Sequence, residues 1–293
     1  MTASTRRNSR VDSVLLLDKK AGVTSFDALR PAKRVLGRHT GHAGTLDRFA
    51  SGLLIVFSGR CTRLCDLFMG LPKVYSATIV FGLETDPLDP DGMVIATGPV
   101  PSFERVKQAL SGFAPFYMQS PPGYSAVHLD GQRAWKLARS GRQPEIPPRP
   151  VCLHDYEING WEDGQLQITL KVSKGFYVRS FARDLALKCS SYAHVGALRR
   201  TAIGPFDVGD AVPSDDEDAI IRSAGGFVLE DVLARLGNCV FVEADARQAR
   251  LLGNGVLPHS LESQLGEGLT VFTHQGRVGS VLDRDGHFVW QGW

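Results

Sequence analysis

Nine consecutive residues, Lys73 to Phe81, alternate in character with a period of two. Tyr75, Ala77, Ile79 and Phe81 fall on one side of an extended chain, and Val74, Ser76, Thr78 and Val80 on the other. That is the signature of a strand with one covered face. Gln165 to Val172 repeats it more sharply, with Leu166, Ile168, Leu170 and Val172 on one side. Val14 to Leu17 and Leu53 to Phe57 are shorter apolar runs of strand character. Helical patterns lie among them: from a cap at Thr24 or Ser25 to Leu36, stopped by Gly37, then over 60–69, 102–111, 132–140, 178–189 and 245–253. Strands that follow one another and mix with helices irregularly predict an α+β fold rather than a doubly wound parallel sheet.

The apolar runs are far shorter than the roughly 20 residues of a membrane span. No basic head followed by an apolar stretch opens the chain, so no secretory signal is expected. Five cysteines in 293 residues are odd in number and sparse, which points to a reducing compartment. The length suits one large domain and a small one. Residues 1–12, rich in Ser, Thr and Arg, read as a disordered basic tail. The acidic stretch 211–218, with Gly225 and Gly226 after it, reads as a linker or surface excursion. A domain boundary is expected near residue 238, giving a large domain over 13–237 and a small one over 238–293.

A net charge of +2 conceals segregation. Residues 1–63 hold 12 basic and 4 acidic residues, and residues 171–200 hold 7 and 1. Residues 211–231 hold 1 basic and 6 acidic. Basic stretches of this kind suit a polyanion, and they also suit ordinary solvated faces.

Metal and nucleotide motifs are missing. His39 with His42, and Cys61 with Cys65, lack the second pair that structural zinc requires. Asp86, Asp89 and Asp91 miss the register of a calcium loop and read as a turn. There is no phosphate-binding glycine motif after a strand.

Three segments stand out. Gly41-His42-Ala43-Gly44-Thr45-Leu46-Asp47 packs small residues around one His and ends in a carboxylate. Taken alone, that Asp reads as a turn or cap as readily as a site. Ser173-Lys174-Gly175-Phe176-Tyr177-Val178-Arg179-Ser180 joins a strand to a helix. Its amides and cations can hold an anion and its rings can stack on bases, but taken alone it reads more readily as an ordinary strand-to-helix turn with a solvated Arg. Gln119-Ser120-Pro121-Pro122-Gly123-Tyr124-Ser125-Ala126 is a rigid extended loop.

Together and in this order, these segments resemble the TruB family of tRNA pseudouridine synthases. The similarity begins at Leu16-Leu17-Asp18-Lys19 and Gly22-x-Thr24-Ser25. It runs through Gly41-His42-x-Gly44-Thr45-Leu46-Asp47, Lys73-x-Tyr75 and Gly82-x-x-Thr85-Asp86-x-x-Asp89-x-x-Gly92, then through the segments at 119–126 and 173–179. It closes with Leu198-Arg199-Arg200-Thr201. The last fifty residues resemble, more weakly, a small PUA-type RNA-binding domain.

The resemblance implies a pseudouridine synthase fold: a mixed, mainly antiparallel central sheet flanked by helices, plus a small mostly-β PUA-like domain at the C-terminus. It implies isomerisation of uridine 55 in the T loop of tRNA to pseudouridine, with no cofactor and no metal. Asp47 then matches the nucleophile, which a carboxylate is able to be toward a sugar or an activated ring. Arg179 matches the residue that pairs with that Asp, and Tyr75 the residue that stacks on the target base. Tyr177 and Leu198 match further pocket residues. His42 matches the residue that fills the space left by the flipped base. Lys19, Lys174 and Arg199 are expected on the RNA backbone. The partner is the tRNA T-arm stem-loop, met by a monomer in the cytoplasm with no membrane and no protein partner. Arg48 and Lys20 stand where the family usually has Pro, and Arg48 loosens its loop and adds a charge beside Asp47. His128 and Trp135 replace the common Lys and Tyr. Two other readings use the same residues: a non-catalytic tRNA-folding helper, and a pseudouridine synthase acting on another RNA.

Overall fold

The structure is a computed structural model, and it describes residues 12–125, 128–129, 132–133, 146–223 and 228–293. The chain divides into two compact units. One comprises Met1–Asp47, Gly52–Met69 and Gly204–Trp293, the other Arg48–Ser51 and Gly70–Ile203.

The second unit is built on five antiparallel strands in the order Ala193–Ile203, Lys73–Phe81, Gln165–Val172, Arg149–Glu162, Phe116–Gln119. The period-two alternation decides which face is covered. Ala77, Ile79, Leu166, Ile168, Leu170 and Leu198 are buried, whereas Ser76, Gln165, Gln167 and Lys171 are exposed. Each such large apolar side chain contributes about 1.5–3 kcal/mol by leaving water. The helix Val178–Lys188 packs on Ala193–Ile203 and Lys73–Phe81, burying Phe181, Ala182, Leu185 and Ala186. Phe181 joins Phe113, Tyr117 and Phe176 in a set of tilted and edge-to-face rings.

In the first unit, Ser13–Lys19 pairs antiparallel with Ser51–Ser58 and parallel with Val212–Pro213. Thr40–Ala43 also pairs antiparallel with Ser51–Ser58. The C-terminal sheet runs Cys239–Glu243, Leu269–His274, Arg277–Leu282, Phe288–Gln291, parallel only in its first pair. Its core collects Val242, Leu252, Leu261, Phe272 and Leu282. Asp245 and Gln248 form a reciprocal capping box on the helix Ala246–Gly253. The expected α+β class with a mixed, mainly antiparallel sheet is what the chain adopts.

The structure revises several expected elements. The helix from Thr24 to Leu36 is two helices, Ser25–Ala28 and Arg30–Leu36. Pro31 sits in the first turn of the second one, because it cannot supply the amide that a continuous helix needs. Thr24 does cap the first, accepting from the Asp27 amide. Residues 59–64 are a 3-10 turn leading into the helix Cys65–Met69. Of the helix expected over 132–140, Gln132–Arg133 form a strand with His128–Leu129, and the rest lies outside the described residues. The acidic stretch is no free excursion. Val212–Pro213 extends a sheet, and Glu217–Ser223 is a helix. Asp215 is ion-paired to Lys20, and Glu217 accepts twice from Arg34.

Candidate active site

Asp47 lies in the loop between the strands Thr40–Ala43 and Ser51–Ser58, and it is half-buried. His42 lies on that strand, opposite Val56 of Ser51–Ser58, rather than in a loop. The loop is held from a distance. The Ser25 hydroxyl, 2% exposed, donates to the Leu46 carbonyl at 3.0 Å and accepts from the Leu46 amide at 2.9 Å. One buried hydroxyl thus satisfies both backbone groups of the residue preceding Asp47. Ser25→Ala is expected to cost about 1–3 kcal/mol, because it leaves both buried groups unpaired. It is also expected to slow any chemistry at Asp47 by about tenfold. Urea unfolding and a turnover assay check this, and a change below about 0.3 kcal/mol would contradict it.

Tyr75, Ala77 and Ile79 lie on the covered face of their strand. The register places Arg200 and Leu170 directly beside Tyr75, and Leu198 and Ile168 beside Ala77. Directly opposed residues point the same way. Half-buried Tyr75 therefore sits over an apolar floor of Leu198, Leu170, Ala77 and Ile168. Arg199 belongs to the other face, where its guanidinium meets the Ser51 hydroxyl. Arg200 shares the face with Tyr75 and is 1% exposed. A pattern of two adjacent arginines could not say which points inward, since strand register decides it.

Lys73 lies two residues before Tyr75, on the same face, and its ammonium donates to the Leu71 carbonyl at 2.6 Å. Burial, with Arg200 and Lys174 nearby, pushes it down to about 8. Below that pH the lysine is charged in the folded and unfolded states alike, and the folded state bears the full cost of the buried charge. As pH rises toward the unfolded value of 10.5, the native state sheds the proton first, so this site's contribution to stability grows. Lys73→Met is therefore expected to be more stabilising at pH 7 than at pH 10, by about 2 kcal/mol. Denaturant unfolding at the two pH values measures it, and an equal effect at both would refute it.

Arg179 opens the helix Val178–Lys188 and is 3% exposed. Its guanidinium donates to the Pro87 carbonyl at 2.7 Å and to the Tyr124 carbonyl at 3.0 Å. One planar cation thereby ties the 85–92 turn to the proline loop. Tyr177, two residues earlier, is half-buried, and Lys174 is exposed at the turn. In the 85–92 turn the carboxylates serve the backbone: Asp86 accepts from the Met93 amide and Asp89 from the Asp91 amide.

Lys19 departs from its expected place on an RNA backbone. It is 0% exposed, and its ammonium donates to the carbonyls of Lys20 and Val23. The charge holds the 19–23 turn, where Gly22 takes a φ of 84°. His42, Asp47 and Lys19 thus fall in the first unit, and Tyr75, Lys174, Tyr177, Arg179, Leu198 and Arg199 in the second. Among the described residues, Asp283, Asp285 and His287 are the group close enough to share a metal ion. Asp283 there accepts from the backbone amides of Asp285 and His287, as a turn residue does.

The chain, with a tyrosine on the apolar face of its antiparallel strands beside a helix that carries a buried arginine in its first turn, has a pseudouridine synthase fold by structural similarity. Two solved assemblies share it. One is an H/ACA RNP bound to a substrate RNA containing 2'-deoxyuridine, with a TM-score of 0.67, 21% identity, and coverage of 94% of this chain and 78% of that one. The other is a Cbf5-Nop10-Gar1 complex, with a TM-score of 0.66, 21% identity, and coverage of 93% and 78%.

Sequence narrows the class. Residues 33–178 match the TruB family pseudouridylate synthase (N terminal domain). The chain is 41% identical over 247 residues to the tRNA pseudouridine synthase B of Aromatoleum aromaticum, covering 84% of this chain and 80% of that protein. It is 43% identical over 246 residues to that of Borreliella burgdorferi, covering 83% and 84%. The chain belongs to the TruB family.

Proposed function

We propose that this protein is a tRNA pseudouridine synthase that isomerises uridine 55 of the T loop. The observation that carries this reading is the 41% identity to a tRNA pseudouridine synthase B across 84% of the chain. Asp47, Tyr75 and Arg179 all stand at the matching places of the family pattern. Asp47 serves as nucleophile toward the sugar or the pyrimidine, splitting one hard substitution into two easier ones. Tyr75 stacks on the uracil from the apolar sheet face, with Leu198 and Tyr177 completing its pocket. His42 occupies the gap left when the base leaves its stack, a displacement that costs a few kcal/mol. Lys174 and Arg199 meet the RNA backbone, while the buried Lys19 shapes the loop that begins beside it.

Residues 13–237 form the catalytic part and 238–293 a small PUA-like RNA-binding part; of the basic tail expected over 1–12, Asp12 is ion-paired to Arg60 and the rest lies outside the described residues. The protein works as a monomer in the cytoplasm, without a protein partner. Among the described residues no helix is long and apolar enough to cross a membrane.

Tritium release from tRNA labelled at uridine C5, with an isolated T-arm stem-loop in parallel, tests the proposal. Stoichiometric release from position 55 is expected. A protein that binds tRNA without release is a folding helper instead. Release only from other RNAs would move the substrate.

A further inference from the structure

The strand Phe116–Gln119 ends at a glutamine that is 0% exposed. Its amide oxygen accepts from the Tyr177 amide at 2.8 Å, and its amide nitrogen donates to the Tyr177 carbonyl at 3.0 Å. The side chain therefore pairs with both backbone groups of one residue, as a neighbouring strand would. The same nitrogen also meets the Tyr117 hydroxyl. Arg149 lies directly opposite Gln119 across the antiparallel ladder, so both side chains leave the sheet on the same face. The Arg149 guanidinium sits 5.2 Å from the centre of the Tyr177 ring and donates to the Gly175 carbonyl at 2.6 Å. Gly175 makes room for it: a φ of 79° favours glycine there, and a side chain would come within 3.3 Å of the guanidinium. One residue thus holds the peptide of Tyr177, and the other holds its ring.

Tyr177 is also the N-cap residue of the helix that carries Arg179, and it has no side-chain cap of its own. The next residue after Gln119 continues the attachment. The Ser120 carbonyl accepts from the Ser180 hydroxyl at 2.8 Å and from Arg183 at 3.0 Å. The start of this helix is therefore aimed by residues about sixty positions earlier in the chain.

We propose that Gln119 and Arg149 are positioning residues that fix the peptide and ring of Tyr177, and through that residue the angle at which the helix presents Arg179. The inference rests on the pseudouridine synthase reading. It adds two side chains that touch no reacting atom but set the geometry of two that the reading places at the substrate. A displacement near 1 Å at such a group is enough to cost about a hundredfold in rate.

The test uses full-length Gln119→Leu, Gln119→Glu, Arg149→Lys and Arg149→Met with tritium-labelled tRNA. Single-turnover rate, tRNA Kd and Tm are measured for each, with rates taken at a temperature where every variant is fully folded. Gln119→Leu and Arg149→Met are expected to lower the saturated rate about tenfold to a hundredfold, with Kd within about threefold of the unmutated protein. Arg149→Lys keeps the charge but loses the guanidinium that reaches the Tyr177 ring and the Gly175 carbonyl together, and should behave like Arg149→Met. Gln119→Glu keeps the acceptor for the Tyr177 amide and loses the donor for its carbonyl. Its rate relative to the unmutated protein should rise as pH falls, because a protonated carboxyl regains that donor. Folded Gln119→Leu and Arg149→Met with rates within about twofold of normal would overturn the proposal. A loss seen only as weaker tRNA binding, with the saturated rate unchanged, would overturn it too. Absence of tritium release from the unmutated protein would instead sink the reading beneath it.

Discussion

Asp47→Asn is expected to abolish pseudouridine formation, with a fall of at least about a thousandfold in single-turnover rate. Binding of tRNA should stay within about threefold. The substitution keeps shape and removes charge and nucleophilicity together. An amide oxygen can still accept hydrogen bonds, so the loop that Ser25 fastens at Leu46 has no reason to move. The variant should therefore melt like the unmutated protein. Tritium release against time, with tRNA binding measured on the same preparation, checks both halves. Normal turnover by Asp47→Asn would remove the nucleophile assignment, and with it the reason for reading this loop as the catalytic one.

Arg179→Met comes second in size and differs in kind, because stability and rate should fall together. The guanidinium is nearly inaccessible and ties the Pro87 and Tyr124 carbonyls, which belong to separate loops. An apolar replacement strands two half-buried acceptors, at a cost of about 1–3 kcal/mol. Turnover should drop by about a hundredfold or more even where the variant is fully folded, since the proposed partner charge of Asp47 is gone. Arg179→Lys separates the two effects. An ammonium retains the charge and reaches one carbonyl well, but cannot span both in a planar fork. Because it keeps the partner charge it should recover part of the rate, and with one carbonyl still held, only part of the stability. Unfolding in urea and single-turnover kinetics decide this, and a stable, fully active Arg179→Lys would show that the bridging geometry is dispensable.

Local periodicity made part of this molecule legible. Lys73–Phe81 and Gln165–Val172 appear with the bounds their alternation dictates, because one face is buried and a slip of one residue would invert it. The helix Phe103–Leu110 begins after Ser102, whose hydroxyl caps it, and Val178–Lys188 follows its apolar stripe. Tertiary pairing wrote the rest. Thr40–Ala43 is rich in small residues and is extended only because Ser51–Ser58 lies alongside it. Arg149–Glu162 runs for 14 residues through Asn159 and Gly160, with register shifts that no alternation announces. The candidate residues were legible through their ordered motifs. Their supports were not, since Ser25 and Leu46 lie 21 positions apart and Gln119 and Tyr177 lie 58 apart. A hydroxyl or amide that will bond a distant backbone looks like any other polar residue in its own neighbourhood.

The pairing of Asp215 with Lys20 and of Glu217 with Arg34 bears on how the protein would answer to salt. These two cations carry counterions that belong to the same molecule. A phosphate arriving at either one displaces a tethered carboxylate instead of releasing a bound ion from solution. The salt slope of nucleic-acid binding reports released mobile ions. A count of basic residues in the first sixty positions therefore overstates that slope. Neutralising Asp215 and Glu217 would steepen it without adding a single positive charge.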